Sequence, residues 1–207
     1  RAHSRAMVSN YAVDFKAGIF QPVDGTPTSG NLFSRWALER ILPIADTERF
    51  RICADQYLFL HTAAVGKVGC IDHFLAKYRL HGANNFASEE LCERLVQSRL
   101  LNLKNRNFLK KEIFNAHGSE FSESEYYRSW EDFESMFLAQ KYGIWPLEGE
   151  QQELRIFKAN YGVRLLGAVR AAHLRSLLML IYAYSLKLLP LCLCRGLFKL
   201  NRSVRSK

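Results

Sequence analysis

The chain has 207 residues, is 48% hydrophobic and carries a formal net charge of +9. That is enough apolar material for one sizeable buried core. Its five cysteines, Cys53, Cys70, Cys92, Cys192 and Cys194, lack metal-ligand spacing and are odd in number. They argue against a cysteine metal site and suit a reducing compartment.

Residues 1–26 are mixed, with Val13, Phe15, Ile19 and Phe20 suggesting broken strand material. Nothing near residue 1 reads as a signal peptide. Pro22, Gly25 and Pro27 interrupt this region before a Thr28-Ser29-Gly30 turn. Small residues there let backbone amides approach a ligand closely. The same turn also reads as a helix start. Ser29 or Asn31 is then the cap of a helix over residues 32–42, with Phe33, Trp36 and Leu38 facing inward. Pro43 ends that helix, and residues 44–52 form a loop.

Asp55 opens the next helix. Tyr57, Leu58, His61 and Val65 recur at helical spacing, and Gly66 stands where a helix stops. An aspartate at a helix start caps the backbone. Facing a cleft, it is also a general base. Val68, Cys70 and Ile71 read as a short strand. Tyr78-Arg79-Leu80-His81-Gly82 then gathers an aromatic ring, a cation and an imidazole before a Gly-Ala-Asn-Asn turn. His81 is either a surface histidine or, as a neutral imidazole, a ligand for a divalent metal.

Residues 88–117 read as one helix, with Leu91, Leu95, Leu103 and Ile113 among its apolar positions and Gly118 after it. Ser122-Glu123-Ser124-Glu125 reads as a capping box opening another. Tyr126, Trp130, Phe133 and Phe137 give that helix an apolar stripe, and Gly143 and Pro146 stop it.

The tail is different in charge. From Leu154 onward there is no Asp or Glu, against eleven Lys and Arg, so residues 1–153 carry a net −2. Leu154, Phe157, Tyr161, Leu165 and Val169 line one face of a helix, with Arg155, Arg164 and Arg170 off it. Residues 176–198 are strongly apolar, but Lys187 interrupts after about eleven residues and Pro190 follows. A spanning helix needs about 20 apolar residues. The run therefore reads as an interfacial or re-entrant helix, or as a helix packed on its own domain. Its cations alternate with aliphatic runs rather than with exposed aromatics, which argues against a nucleic-acid partner.

Three pieces together resemble the family 2 glycosyltransferases of the GT-A type: residues 27–35 (Pro-Thr-Ser-Gly-Asn-Leu-Phe-Ser-Arg) with Leu38, Ile41, Leu42 and Pro43; Ala54-Asp55-Gln56-Tyr57-Leu58 with Gly66; and residues 75–84 around Tyr78, Arg79 and His81. The resemblance covers about residues 15 to 86. It implies an α/β fold with a mostly parallel, partial GT-A sheet and acceptor-side helices, followed by a mostly helical C-terminal region. The expected divisions are residues 1–87 as the acceptor-side half of the catalytic domain, 88–147 as a helical extension and 148–207 as a membrane-associating tail.

The resemblance also implies a reaction. A sugar passes from a nucleotide-diphosphate donor to the hydroxyl of a saccharide or lipid-linked saccharide, in polysaccharide or glycoconjugate synthesis. Asp55 is the implied base. Thr28, Ser29, Gly30 and Arg79 are implied substrate contacts, with His81 on a divalent cation, Mg2+ or Mn2+. No Asp-x-Asp occurs in the chain. The donor half is therefore expected to lie upstream, and these residues alone are expected to be inactive. The basic, apolar tail gives the expected location, cytoplasmic and on the anionic inner face of the cell membrane. The competing readings are a non-catalytic helical interaction module and a basic nucleic-acid binder.

Overall fold

The computed structural model describes residues 7–10, 30–71, 91–123, 126–127 and 129–205. In chain order the elements are β1 (Met7–Ser9), α1 (Arg35–Ile41), α2 (Ala54–Val65), β2 (Val68–Cys70), α3 (Glu93–Ala116), α4 (Trp130–Lys141), α5 (Gln151–Arg170), α6 (Leu174–Leu188) and α7 (Leu191–Arg205).

This corrects the expected α/β fold. Among the described residues the sheet is one antiparallel pair, with Met7 opposite Cys70, Val8 opposite Gly69 and Ser9 opposite Val68. A parallel sheet needs several apolar strands joined by helical crossovers. Here the long apolar runs recur at helical spacing and form helices instead, so no mostly parallel GT-A sheet is present among the described residues.

The chain divides into two compact units: residues 1–79 with 104–121, and residues 80–103 with 122–207. In the first unit, Phe50, Tyr57, Leu60, Ala63 and Ala64 pack with Leu109, Ile113 and Phe114 of α3. The Tyr57 hydroxyl donates to the Ile41 carbonyl over 3.1 Å, tying the end of α1 to α2. The cap of α1 is Ser34, whose hydroxyl accepts from the Ala37 N–H, rather than Ser29 or Asn31. Ala37 and Ile41 are buried, whereas Trp36 is 50% exposed and carries Arg40 on its ring face at 3.7 Å. The helix is thus shorter than expected, and its aromatic residue faces outward. Strand β2 forms where Val68 and Cys70 suggested, and Ile71 falls outside it.

The second unit is helical. Its core joins Leu95, Leu100 and Leu103 of α3 to Phe133 and Phe137 of α4, Phe157 of α5 and Leu180, Ala183 and Leu186 of α6. Phe157 sits at the centre, with the rings of Phe137, Trp145, Tyr127 and Phe133 at 5.0, 5.4, 5.5 and 5.7 Å. Edge-to-face geometry dominates, as ring quadrupoles prefer.

Turn chemistry sets the helix ends. After α3, the Ser119 N–H reaches the Phe114 carbonyl and the Gly118 N–H reaches that of Asn115. Gly118 takes φ 71°, the left-handed position that such a C-cap requires. Gly143 repeats the arrangement after α4. The start of α4 departs from expectation. Its capping box is Ser129 with Asp132, not Ser122 with Glu125. Ser129 Oγ accepts from the Asp132 N–H, and Asp132 accepts back from the Ser129 N–H, both at 3.2 Å. Ser129→Ala is expected to cost about 1 kcal/mol, and urea denaturation reads it directly.

Candidate functional site

Helix α2 carries Asp55, the base that the family resemblance implies. Its N-cap is Cys53, without a side-chain cap, so Asp55 lies inside the first turn rather than at the cap. There it lies at the positive end of the helix. Asp55 Oδ1 accepts the Gln56 N–H at 2.9 Å, and the side chain is half-buried. Beneath it lie two groups. Cys53 is 1% exposed, and burial pushes its thiol above the usual range, with the Asp55 charge adding to the effect. A thiol so held is protonated at neutral pH and is not a nucleophile. Asn105 is also 1% exposed; it donates to the Arg49 carbonyl at 3.4 Å and reaches the Cys53 thiol.

One helical turn on from Tyr57, the His61 ring stacks on it at 4.1 Å. His61 Nδ1 lies 3.1 Å from the Tyr57 carbonyl. A carbonyl only accepts, so Nδ1 carries the proton, and in the neutral ring Nε2 is left with the lone pair. Burial pushes the His61 imidazole below its usual range, opposed by that hydrogen bond. The unfolded chain therefore takes the proton first. Stability from this site is complete above about pH 6.5, the ordinary histidine value, and is lost as pH falls toward the lower folded value. Denaturation midpoints measured across that window should decline in the wild type. His61→Phe, which retains the ring, should show a smaller decline.

The remaining residues of the implied site divide. Gly30 is exposed ahead of α1. Thr28, Ser29, Arg79 and His81 lie outside the described residues. Among the described residues no three His, Cys, Asp or Glu side chains gather to hold a metal. Sequence reasoning missed Asn105. Asparagine disfavours helix interiors, so Asn105 and Asn107 in one buried stretch of α3 were the available signal.

A second concavity lies wholly within the helical unit. It is a cleft of about 490 Å³ whose lining includes Trp130, Phe133, Arg164, Gly167, His173 and Ser176. Its floor is apolar and its rim offers donors. Among the described residues no carboxylate lines it.

One comparison with known proteins gives an enzyme class. Over 62 residues the chain is 45% identical to the uncharacterized glycosyltransferase alr2836 of Nostoc sp. (strain PCC 7120). The chain is similar to a glycosyltransferase. That stretch is 30% of this chain and 19% of the relative's length. No protein-family model matches, and no solved structure matches. The relative's name gives the enzyme class and neither family 2, a donor nor an acceptor.

Proposed function

We propose that this chain is part of a glycosyltransferase of the family 2 type, and that Asp55 is its general base. The observation that supports this most is the similarity to a protein named as a glycosyltransferase, together with a half-buried carboxylate in the first turn of α2.

The proposed chemistry is a single displacement. The acceptor oxygen attacks the anomeric carbon of the donor sugar. The bond from that carbon to the diphosphate oxygen breaks, its electron pair leaving with the nucleoside diphosphate. The acceptor proton passes to Asp55, and the anomeric configuration inverts. The Gln56 N–H restrains one carboxylate oxygen, so the other is left to accept the proton. Thr28, Ser29, Gly30 and Arg79 are proposed as substrate contacts, Arg79 because a guanidinium matches phosphate geometry. A divalent cation, Mg2+ or Mn2+, would neutralise the leaving diphosphate. Its ligands are proposed to come chiefly from outside this chain, with His81 as the contribution from within it.

Donor binding tests the reading. Calorimetric titration of the full-length protein with nucleotide-diphosphate sugars should show saturable binding that tightens with Mn2+. A protein that binds no nucleotide sugar under any condition is not this enzyme.

A further inference from the structure

Helix α6 has two apolar faces, and only one of them is used. Leu180, Ala183 and Leu186 are buried against the rest of the helical unit. On the opposite side, Leu174, Leu178, Ile181, Tyr184 and Leu188 are 66, 54, 51, 41 and 66% exposed. At 3.6 residues per turn these five fall within an arc of roughly 120°. A surface helix normally turns charged and polar residues to solvent there. Here Ser185 is the one polar residue on the arc. Single exposed leucines need no explanation, but a continuous row of them marks an interaction surface.

We infer that the helical unit docks on an anionic lipid bilayer through this row, with α6 lying in the plane of the interface. The inference is independent of the glycosyltransferase reading.

Charge selects the occupant. No acidic residue occurs from Leu154 to the last residue. Arg175 and Lys187, both exposed, flank the apolar arc. Their aliphatic stems can lie along the bilayer while the charged heads stay with the phosphates. Helix α7 adds to this. It buries Cys194 and Phe198 and leaves Arg195 and Lys199 exposed. Each cation near an anionic leaflet is attracted to it. A nucleic acid would satisfy the cations but would leave the Leu and Ile row in water. An uncharged protein groove would take the row but leave the cations without purpose.

Length selects the geometry. Fifteen residues of helix span about 22 Å, short of the roughly 30 Å hydrocarbon core. Among the described residues no helix is long and apolar enough to cross a membrane. An amphipathic helix of this kind lies along the boundary.

The test is co-sedimentation of the purified chain with vesicles of phosphatidylcholine, with or without phosphatidylserine. Binding should require phosphatidylserine and should weaken as salt shrinks the Debye length from about 10 Å at 0.1 M to about 3 Å at 1 M. The double variant Leu178→Asp, Ile181→Asp should lose at least about tenfold in partitioning, since it places charge where apolar side chains embed. Both positions are exposed, so helical circular dichroism and the denaturation midpoint should be unchanged. Arg175→Glu with Lys187→Glu should weaken binding to the anionic vesicles. The proposal is overturned by any of four results: no vesicle binding; equal, salt-insensitive binding to both vesicles; a double variant that binds as the wild type; or a wild-type dimer that the double variant dissociates, which would assign the row to a second copy of this chain.

Discussion

Phe157→Ala is expected to destabilise the helical unit by about 3–5 kcal/mol, the usual cost of emptying a buried phenylalanine site. Phe157 is 1% exposed and is ringed by four aromatic side chains. Truncation removes the transfer term and leaves a cavity. Aromatic walls, two of them (Phe133 and Phe137) fixed on α4, collapse poorly into it. The loss is comparable with the whole stability of many domains, which runs to about 5–15 kcal/mol. Denaturant unfolding followed by helical circular dichroism measures it. Phe157→Leu, which keeps most of the volume, should cost much less. An alanine variant within about 1 kcal/mol of the wild type would show that Phe157 is not the centre of this core.

The second large effect is on catalysis. Asp55→Asn in the full-length protein should reduce sugar transfer by at least about 10²-fold, the scale of removing a general base. The amide retains an oxygen to accept the Gln56 N–H, so the local hydrogen bond need not be lost. It cannot take the acceptor proton. Donor binding, measured separately by titration, should stay nearly intact, which separates a lost base from a damaged fold.

Much of the helical architecture was legible in the sequence because helix ends obey local chemistry. Gly118 and Gly143 mark two C-caps through their backbone freedom, and Pro190 separates α6 from α7. Phe133, Phe137 and Phe157 were readable as core from spacing alone. Other features depend on packing and were not readable. The pattern put Trp36 inside, but the short α1 buries Ala37 and Ile41 instead. Val169, at the end of the apolar face of α5, is 56% exposed. Two Ser-x-x-acid runs lie close together, and the one beginning at Ser129 is the cap of α4. The same limit applies to α6. Apolar residues stand on two opposite faces of it, so periodicity does not separate the buried face from the exposed one. One face of α6 packs on the domain, as one of the two readings of the tail has it, and the other face is exposed. The sheet was expected from family resemblance, not from strand patterning. That is why it failed while the helices held. At the site, Asp55 stood out by its place at a helix start. Cys53 and Asn105 beneath it are brought together by chain segments about fifty residues apart, a pairing that no local pattern reveals.

Sugar transfer decides whether this chain belongs to a glycosyltransferase. The full-length protein is incubated with a panel of labelled nucleotide-diphosphate sugars and saccharide or lipid-linked acceptors, wild type beside Asp55→Asn. The expected result is acceptor-dependent transfer of label from at least one donor by the wild type, with the product inverted at the anomeric carbon, and near-complete loss in the variant. No transfer from any donor, or a variant that turns over as the wild type does, would contradict it.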